Sequence, residues 1–543
     1  DLVTMRWWDD LWLNESFAEW ASHWCNANAT RYTDAWTTFL SVRKSWGYRQ
    51  DQLSSTHPVY CEMPDVEAVE VNFDGITYAK GASVLKQLVA YVGQEAFLAG
   101  LRSYFAAHAW GNATFDDLLS ALEAACGRPL RAFAAQWLQT AQVNTLRPEL
   151  TLTADGRYAE VAVRQEAPAE HPVLRTHRIG VGLYDLDDGK LVRRHRLEID
   201  VAGERTVVPA LADMRAADVL LLNDDDLTYA KIRLDERSMA TVVDHIAGLD
   251  SPLARGLCWS AAWDMVRDAE LPARDYLALA RRGLPLETDI NLITAVLRQV
   301  AGALVFYADP AWSPTGWREF AAVAREMVDT AAPGSGQQLA WVRAFVGAAR
   351  SAEELAVLRG WLDGVDVPGG LTVDRELRWS ILQALVALGA AGPDEIAAER
   401  ERDRTTAGER SAATAWALIP TAAGKERVWA ELVAPTPPPN WRHRALLAGF
   451  WHPTQVALTE PWVERYHAEA GGIWHRRDSE VAQEFLVIGY PSYHVSERTL
   501  AMSDAWLARP EHPAPARRLV AEGRDSVARA LRARATDAAA TGR

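Results

Sequence analysis

Glu15 is the residue whose type and setting in this chain most invite chemistry. It lies within Leu11, Trp12, Phe17, Ala18 and Trp20 to Trp24, whose apolar positions recur three or four apart, the period of an amphipathic helix. An ionised carboxylate inside such a pattern must be paired, hydrogen-bonded or bound to a metal, because desolvating it alone costs several kcal/mol or more. Other candidates are weaker. Asn223-Asp224-Asp225-Asp226 lacks the regular ligand spacing of a calcium loop and reads as a solvated turn. His443, His452, His467, His475 and His494 show no compact ligand spacing and read as structural side chains.

The elements around Glu15 define its context. Residues 1 to about 144 read as helical, with stretches at Tyr32–Trp46, Gln94–Ala107, Thr114–Ala125 and Leu130–Ala141. A loop runs through His57-Pro58-Val59 and Met63-Pro64, and Thr114 with Asp117 three residues on has the form of a helix cap. From Gly75 a helical pattern runs through Leu85, Leu88 and Val89. At Asn144 the period changes to alternation. Glu149 to Val163 alternates around Asp155-Gly156, a hairpin signal, and the pattern repeats through Arg178–Tyr184, Leu191–Val201, Thr206–Pro209 and Val219–Leu222. Residues 145–235 are therefore expected to form a small antiparallel β-sandwich acting as a spacer. From Glu236 onward short helices return, broken at Pro333-Gly334, Pro368-Gly369-Gly370, Gly392-Pro393 and Pro437-Pro438-Pro439. Ser351 followed by Glu354 is a capping box, and the array reads as an α-solenoid without a clean repeat length. The last dozen residues are expected to fray.

Two segments carry a resemblance. Trp7 to Ala18, Trp-Trp-Asp-Asp-Leu-Trp-Leu-Asn-Glu-Ser-Phe-Ala, resembles the segment downstream of the zinc motif in the M1 family of gluzincin metallopeptidases, the aminopeptidase N group. There the pattern is H-E-x-x-H, eighteen residues, then Glu in an Asn-Glu pair. Phe73 to Val84, Phe-Asp-Gly-Ile-Thr-Tyr-Ala-Lys-Gly-Ala-Ser-Val, is similar to the family's tyrosine motif, and His57-Pro58-Val59 and Gln136 to Thr140 also match its pattern.

The resemblance implies that Glu15 is the third zinc ligand and that Tyr78 donates a hydrogen bond to the oxyanion of the tetrahedral intermediate. A phenol suits that task, being a neutral donor at pH 7. It implies a zinc-dependent aminopeptidase removing N-terminal residues from peptides that have a free N-terminus. No H-E-x-x-H occurs in the sequence, and counting back from Glu15 runs past Asp1. The chain is thus expected to be the C-terminal part of such an enzyme, lacking both His ligands, the general base and the amine-anchoring G-x-M-E-N motif, and inactive alone.

The implied fold is mostly α with a small β domain. Residues 1–144 would be the helical end of a thermolysin-like catalytic domain, 145–235 the β-sandwich, and 236–543 a helical array limiting access to peptides. The competing reading is a non-enzymatic helical-array protein that binds peptides or proteins.

Bulk properties narrow the partners. A net charge of −15 and a pI near 5.4 argue against nucleic acid and anionic membrane surfaces. No run is expected to span a membrane. Four scattered cysteines, Cys25, Cys61, Cys126 and Cys258, suggest a reducing, cytoplasmic setting. Nothing in the pattern sets an oligomeric state.

Overall fold

The computed structural model describes residues 2–63 and 73–540. Pro64 of the loop read above, and residues 541–543 of the tail, lie outside the described residues. The chain is mostly helical with small β-sheets, and forms two compact units: Asp1–Met265 with Arg282–Ala295, and Val266–Arg281 with Val296–Arg543.

In the first unit, α1 (Leu11–Ala29) buries Trp12, Leu13 and Trp20. Each such side chain contributes about 1.5–3 kcal/mol by leaving water. Trp20 meets Phe97 edge-on at 5.2 Å, and Phe97 lies on α4 (Gln94–His108). Between them come α2 (residues 35–50) and α3 (residues 76–92). Each contains a wider π-helical segment, at Phe39–Lys44 in α2 and Ile76–Lys80 in α3. The helix expected from Tyr32 starts at Ala35, where Asp34 precedes it. Next comes α5 (Phe115–Cys126), which begins at the expected capping box of Thr114 and Asp117 and ends at Gly127, whose φ of 67° suits a left-handed cap. The following helix, α6 (Arg131–Leu138), stops three residues short of the expected Ala141.

The hairpin at Asp155-Gly156 joins β3 (Thr145–Leu152) to β4 (Tyr158–Glu166), after a short pair β1 (Thr4–Met5) and β2 (Asn112–Ala113). The remaining strands are β5 (His177–Asp187), β6 (Lys190–Val201), β7 (Arg205–Val207), β8 (Val219–Asp224) and β9 (Lys231–Ile232). They form a four-stranded sheet in the order β7-β4-β3-β9 and a three-stranded sheet in the order β6-β5-β8. One pairing departs from the antiparallel expectation: β3 and β9 run parallel, Thr145 opposite Lys231.

The Asn223–Asp226 turn is not solvated. Asn223, Asp224 and Asp226 are buried, Asp226 pairs with the buried Lys44 at 2.5 Å, and Asp224 accepts from the Tyr184 hydroxyl at 2.9 Å. Sequence alone could not show that Lys44, 182 positions away, neutralises the turn.

Helices return at α7 (Glu236–His245), α8 (Pro252–Arg267) and α9 (Ala273–Gly283). The next, α10 (Ile290–Gly302), runs on as a wider turn to Tyr307. It corrects the membrane reading: Ile290–Tyr307 has a mean hydropathy of 1.5 over 18 residues, long and apolar enough to cross a membrane. Its Leu292, Ile293, Val296, Val300 and Leu304 are buried in the protein, and it carries Arg298 and Gln299.

The second unit continues through α11 (Ser313–Thr330), α12 (Gly336–Ala348), α13 (Ala352–Asp363), α14 (Arg375–Ala387) and α15 (Pro393–Arg402). It then runs through α16 (Thr406–Leu418), α17 (Ala422–Val433), α18 (Asn440–Phe450), α19 (Val456–Arg476), α20 (Ser479–Val487) and α21 (Glu497–Leu507). The Ser351–Glu354 capping box is present at the start of α13. The Pro and Gly breaks read from sequence fall between these helices, except that Pro393 is the first residue of α15 behind Gly392. The final helix, α22 (Ala514–Ala539), is helical over most of the stretch expected to fray, because Val520, Val527, Ala530 and Ala533 are buried.

Candidate active site

Glu15 and Tyr78 come together because two helices approach unusually closely. Ser16, next to Glu15, donates its hydroxyl to the Thr77 carbonyl at 2.7 Å, one residue before Tyr78. A Cβ on Gly81 would stand 1.9 Å from the Ser16 Oγ, so only glycine permits this crossing. The Tyr78-x-Lys80-Gly81 spacing thus has a packing reason. It puts Tyr78 on the face toward Glu15, one turn from the residue that lets α1 in.

The start of α3 is held by Asp74, whose carboxylate accepts from the Ile76 and Thr77 amides at 2.8 and 3.2 Å, while its carbonyl accepts from the Tyr78 amide at 3.1 Å. The other carboxylate oxygen takes a hydrogen bond from His57 Nε2 at 2.9 Å, and His57 Nδ1 lies 2.7 Å from the Pro58 carbonyl and 3.5 Å from the Cys61 Sγ. Burial alone would push this imidazole down. The Asp74 and Cys61 interactions outweigh it and raise the group to about 10.

Two residues beyond Tyr78, Lys80 is fully buried against Asp51 at 2.9 Å and reaches the Gln142 carbonyl at 3.1 Å. Burial holds its ammonium down, to about 8. Asp51 also accepts from the Thr56 hydroxyl and the Gln142 amide. The π-helical turn that carries Tyr78 is therefore fixed from both sides by buried polar groups.

The Tyr78 phenol is raised to about 12, by burial first and then by its hydrogen bond to Glu15 and that carboxylate's charge. Two aromatic rings flank the phenol: Trp46 at 6.2 Å with planes 26° apart, and Phe73 at 6.1 Å. Arg43 stacks on Trp46 at 4.9 Å and is clamped by two 2.8 Å bonds to Glu19, one turn past Glu15.

The two residues singled out from sequence, Glu15 and Tyr78, are thus neighbours. Sequence reasoning missed Trp46, Ser16, Asp74 and the Asp51–Lys80 pair; the Lys80-Gly81 dipeptide was the visible signal for part of this. Glu15, half-buried and flanked by a phenol, fits one ligand position for a divalent cation. Among the described residues no group of three His, Cys, Asp or Glu is placed to hold a metal ion, so this set alone does not complete a zinc site.

A carboxylate and a phenol are thus brought together by a glycine-mediated helix crossing, within a helical unit bordered by small sheets. Residues 1–137 match the model of the peptidase family M1 domain, and residues 219–529 match that of the ERAP1-like C-terminal domain. The chain belongs to peptidase family M1, a family of zinc metallopeptidases, and is aminopeptidase N-like.

It is 51% identical to an aminopeptidase N of Streptomyces lividans, over 99% of this chain and 64% of that protein. It is 41% identical to a probable aminopeptidase 2 of Sulfurisphaera tokodaii, over 25% of this chain and 18% of that one. A leucyl aminopeptidase of Saccharolobus solfataricus is 38% identical over the same shares. The chain thus spans 64% of the length of its Streptomyces relative.

Proposed function

We propose that this chain serves a zinc-dependent aminopeptidase that removes N-terminal residues from peptides with a free N-terminus. The observation that carries the reading is the placement of the Tyr78 phenol beside the Glu15 carboxylate, whose charge helps to raise it, at the Ser16–Gly81 crossing. Zinc, when bound, supplies Lewis-acid polarisation of the scissile carbonyl. Glu15 supplies one ligand to it. Tyr78, a neutral donor, turns its hydroxyl toward the oxygen on which negative charge develops, a contact worth about 3–4 kcal/mol by analogy with other oxyanion donors. Trp46 and Phe73 restrict the ring on two sides. The names of the relatives support the activity, since each is called an aminopeptidase.

In this reading residues 1–144 are the helical end of a thermolysin-like catalytic domain, 145–235 a β-sandwich spacer and 236–543 an α-solenoid. The two sheets and the succession of short helices support that division. The four free cysteines support a cytoplasmic setting.

The experiment is hydrolysis of an aminoacyl-arylamide by the full-length protein, by its Glu15→Gln and Tyr78→Phe variants, and by the 543-residue chain alone. Zinc-dependent turnover by the full-length protein, lost in both variants and absent from the isolated chain, is expected. Unchanged turnover in Tyr78→Phe, or appreciable zinc-dependent turnover by the isolated chain, sinks the assignment. A second reading, a helical-array protein that binds peptides or proteins, is favoured by a large cavity in the second unit. Its mark would be full-length protein without any zinc-dependent turnover.

A further inference from the structure

The second unit contains a cavity of about 680 Å³, within the usual range of small-molecule sites. Its walls are largely apolar, with Leu304, Val305, Pro310, Trp317, Ala348 and Val456 among them. Three guanidinium groups also line it: Arg318, Arg350 and Arg534. Among the described residues none of the three forms an ion pair. Arg350 stacks on Trp317 at 4.6 Å and gives Nη1 to the Gly347 and Ala349 carbonyls. Arg534 bonds only carbonyls, those of Val305, Phe306 and Val495, and Arg318 bonds the Thr315 hydroxyl.

Two carboxylates line the same cavity, and both are spent elsewhere. Glu354 accepts from the Arg350 and Ser351 amides at 2.7 and 2.8 Å. Glu460 is shared between His494 and Arg498.

Two further observations make this wall electropositive. Four helices begin on it: α11 at Ser313, α13 behind its cap Ser351, α19 at Val456 and α21 behind its cap Ser496. Helix starts carry a partial positive charge. Beside the wall, the His452 imidazole is pushed down to about 4, by burial first and then by the charges of Arg350 and Lys425. Arg318, Arg350 and Arg534 reach this cavity without an ion-pair partner among the described residues, against apolar walls that cannot solvate a charge.

We propose that this cavity binds a small organic carboxylate with an apolar body, its carboxylate on Arg318 and Arg350 and its body against Trp317 and Val456. Inorganic anions satisfy only the charged wall, and neutral apolar molecules only the other.

The test is calorimetric titration of the 543-residue chain with 3-phenylpropionate, its neutral amide 3-phenylpropanamide, and inorganic phosphate. One site per chain is expected for the acid, with the amide at least about tenfold weaker and phosphate unable to compete. Arg318→Gln, an exposed position without structural bonds beyond Thr315, should weaken the acid about fivefold or more and leave the amide unchanged. Val456→Trp, checked for unaltered circular dichroism and melting, should abolish binding by filling the apolar wall. Equal affinity for acid and amide, competition by phosphate, undiminished binding in Val456→Trp, or no binding of the acid at all would each overturn the proposal.

Discussion

The Trp46 and Tyr78 rings are stacked, 6.2 Å between centroids and 26° between planes, and the Arg43 guanidinium lies over the Trp46 ring at 4.9 Å. The indole limits where the phenol can swing, and Glu19 limits where the guanidinium above it can go. In the full-length protein, Trp46→Leu should lower kcat about tenfold with KM within about twofold, because a misdirected donor costs transition-state binding rather than substrate binding. Trp46→Phe should restore most of the loss. Tyr78→Phe should lower kcat by about two to three orders of magnitude. Steady-state arylamide kinetics separate these; a Trp46→Leu effect confined to KM would remove Trp46 from this role.

Gly81 sets the distance between the two candidate site residues. Gly81→Ala places a methyl carbon 1.9 Å from the Ser16 Oγ and 2.9 Å from its Cβ, so one helix must move. Destabilisation of about 1–3 kcal/mol is expected from such overpacking, read as a lower midpoint in urea. Ser16→Gly alone should cost less. The double variant should recover much of the loss, since the clash then has no partner. Strict additivity of the two effects would show that the crossing is not what confines Gly81.

His57 makes the first unit sensitive to alkali. Its imidazole, ordinarily near 6.5, is raised to about 10 beside Asp74. Between those values the folded protein keeps a proton that the unfolded chain has released, so stability is full below pH 6.5 and falls as pH rises through 10. The slope approaches about 1.4 kcal/mol per pH unit. His57→Gln removes the titration. The stability difference between wild type and His57→Gln, from urea unfolding at pH 7 and pH 10, should therefore shrink at the higher pH. A constant difference would mean that the pair with Asp74 does not hold the proton.

How much of this was legible in the sequence depends on the range of the interaction that decided it. The caps at Thr114 and Ser351 and the hairpin at Asp155-Gly156 are local rules, and their residues sit within a few positions of each other. Glu15 and Tyr78 were legible as members of spaced motifs, though their contact was not. The misread features are all settled by distant partners. Asp226 looked solvated until Lys44 closed on it, β9 pairs parallel with a strand more than eighty positions earlier, and α22 is helical because its alanines and valines are buried. No run was expected to be long and apolar enough to span a membrane, yet Ile290–Tyr307 averages a hydropathy of 1.5 over 18 residues, and its apolar face is buried in the protein.

Lys425 should give the second unit the opposite dependence on pH. Its ammonium is fully buried and has no carboxylate partner among the described residues. It donates instead to the Ala417, Gly449 and Phe450 carbonyls at 2.7, 3.4 and 2.6 Å, which lie at or near the ends of α16 and α18. Burial pushes it from 10.5 down to about 7. Between pH 7 and 10.5 the unfolded chain binds the proton more tightly than the folded one, so stability rises with pH across that window. Lys425→Met abolishes this titration and leaves three carbonyls without their donor, at about 1–3 kcal/mol for a buried group left unsatisfied. The gap between wild type and Lys425→Met, measured by urea unfolding, should widen from pH 7 to pH 10 while the His57→Gln gap narrows. A Lys425→Met gap that shrinks would mean that the three carbonyls hold the ammonium more strongly than burial expels it.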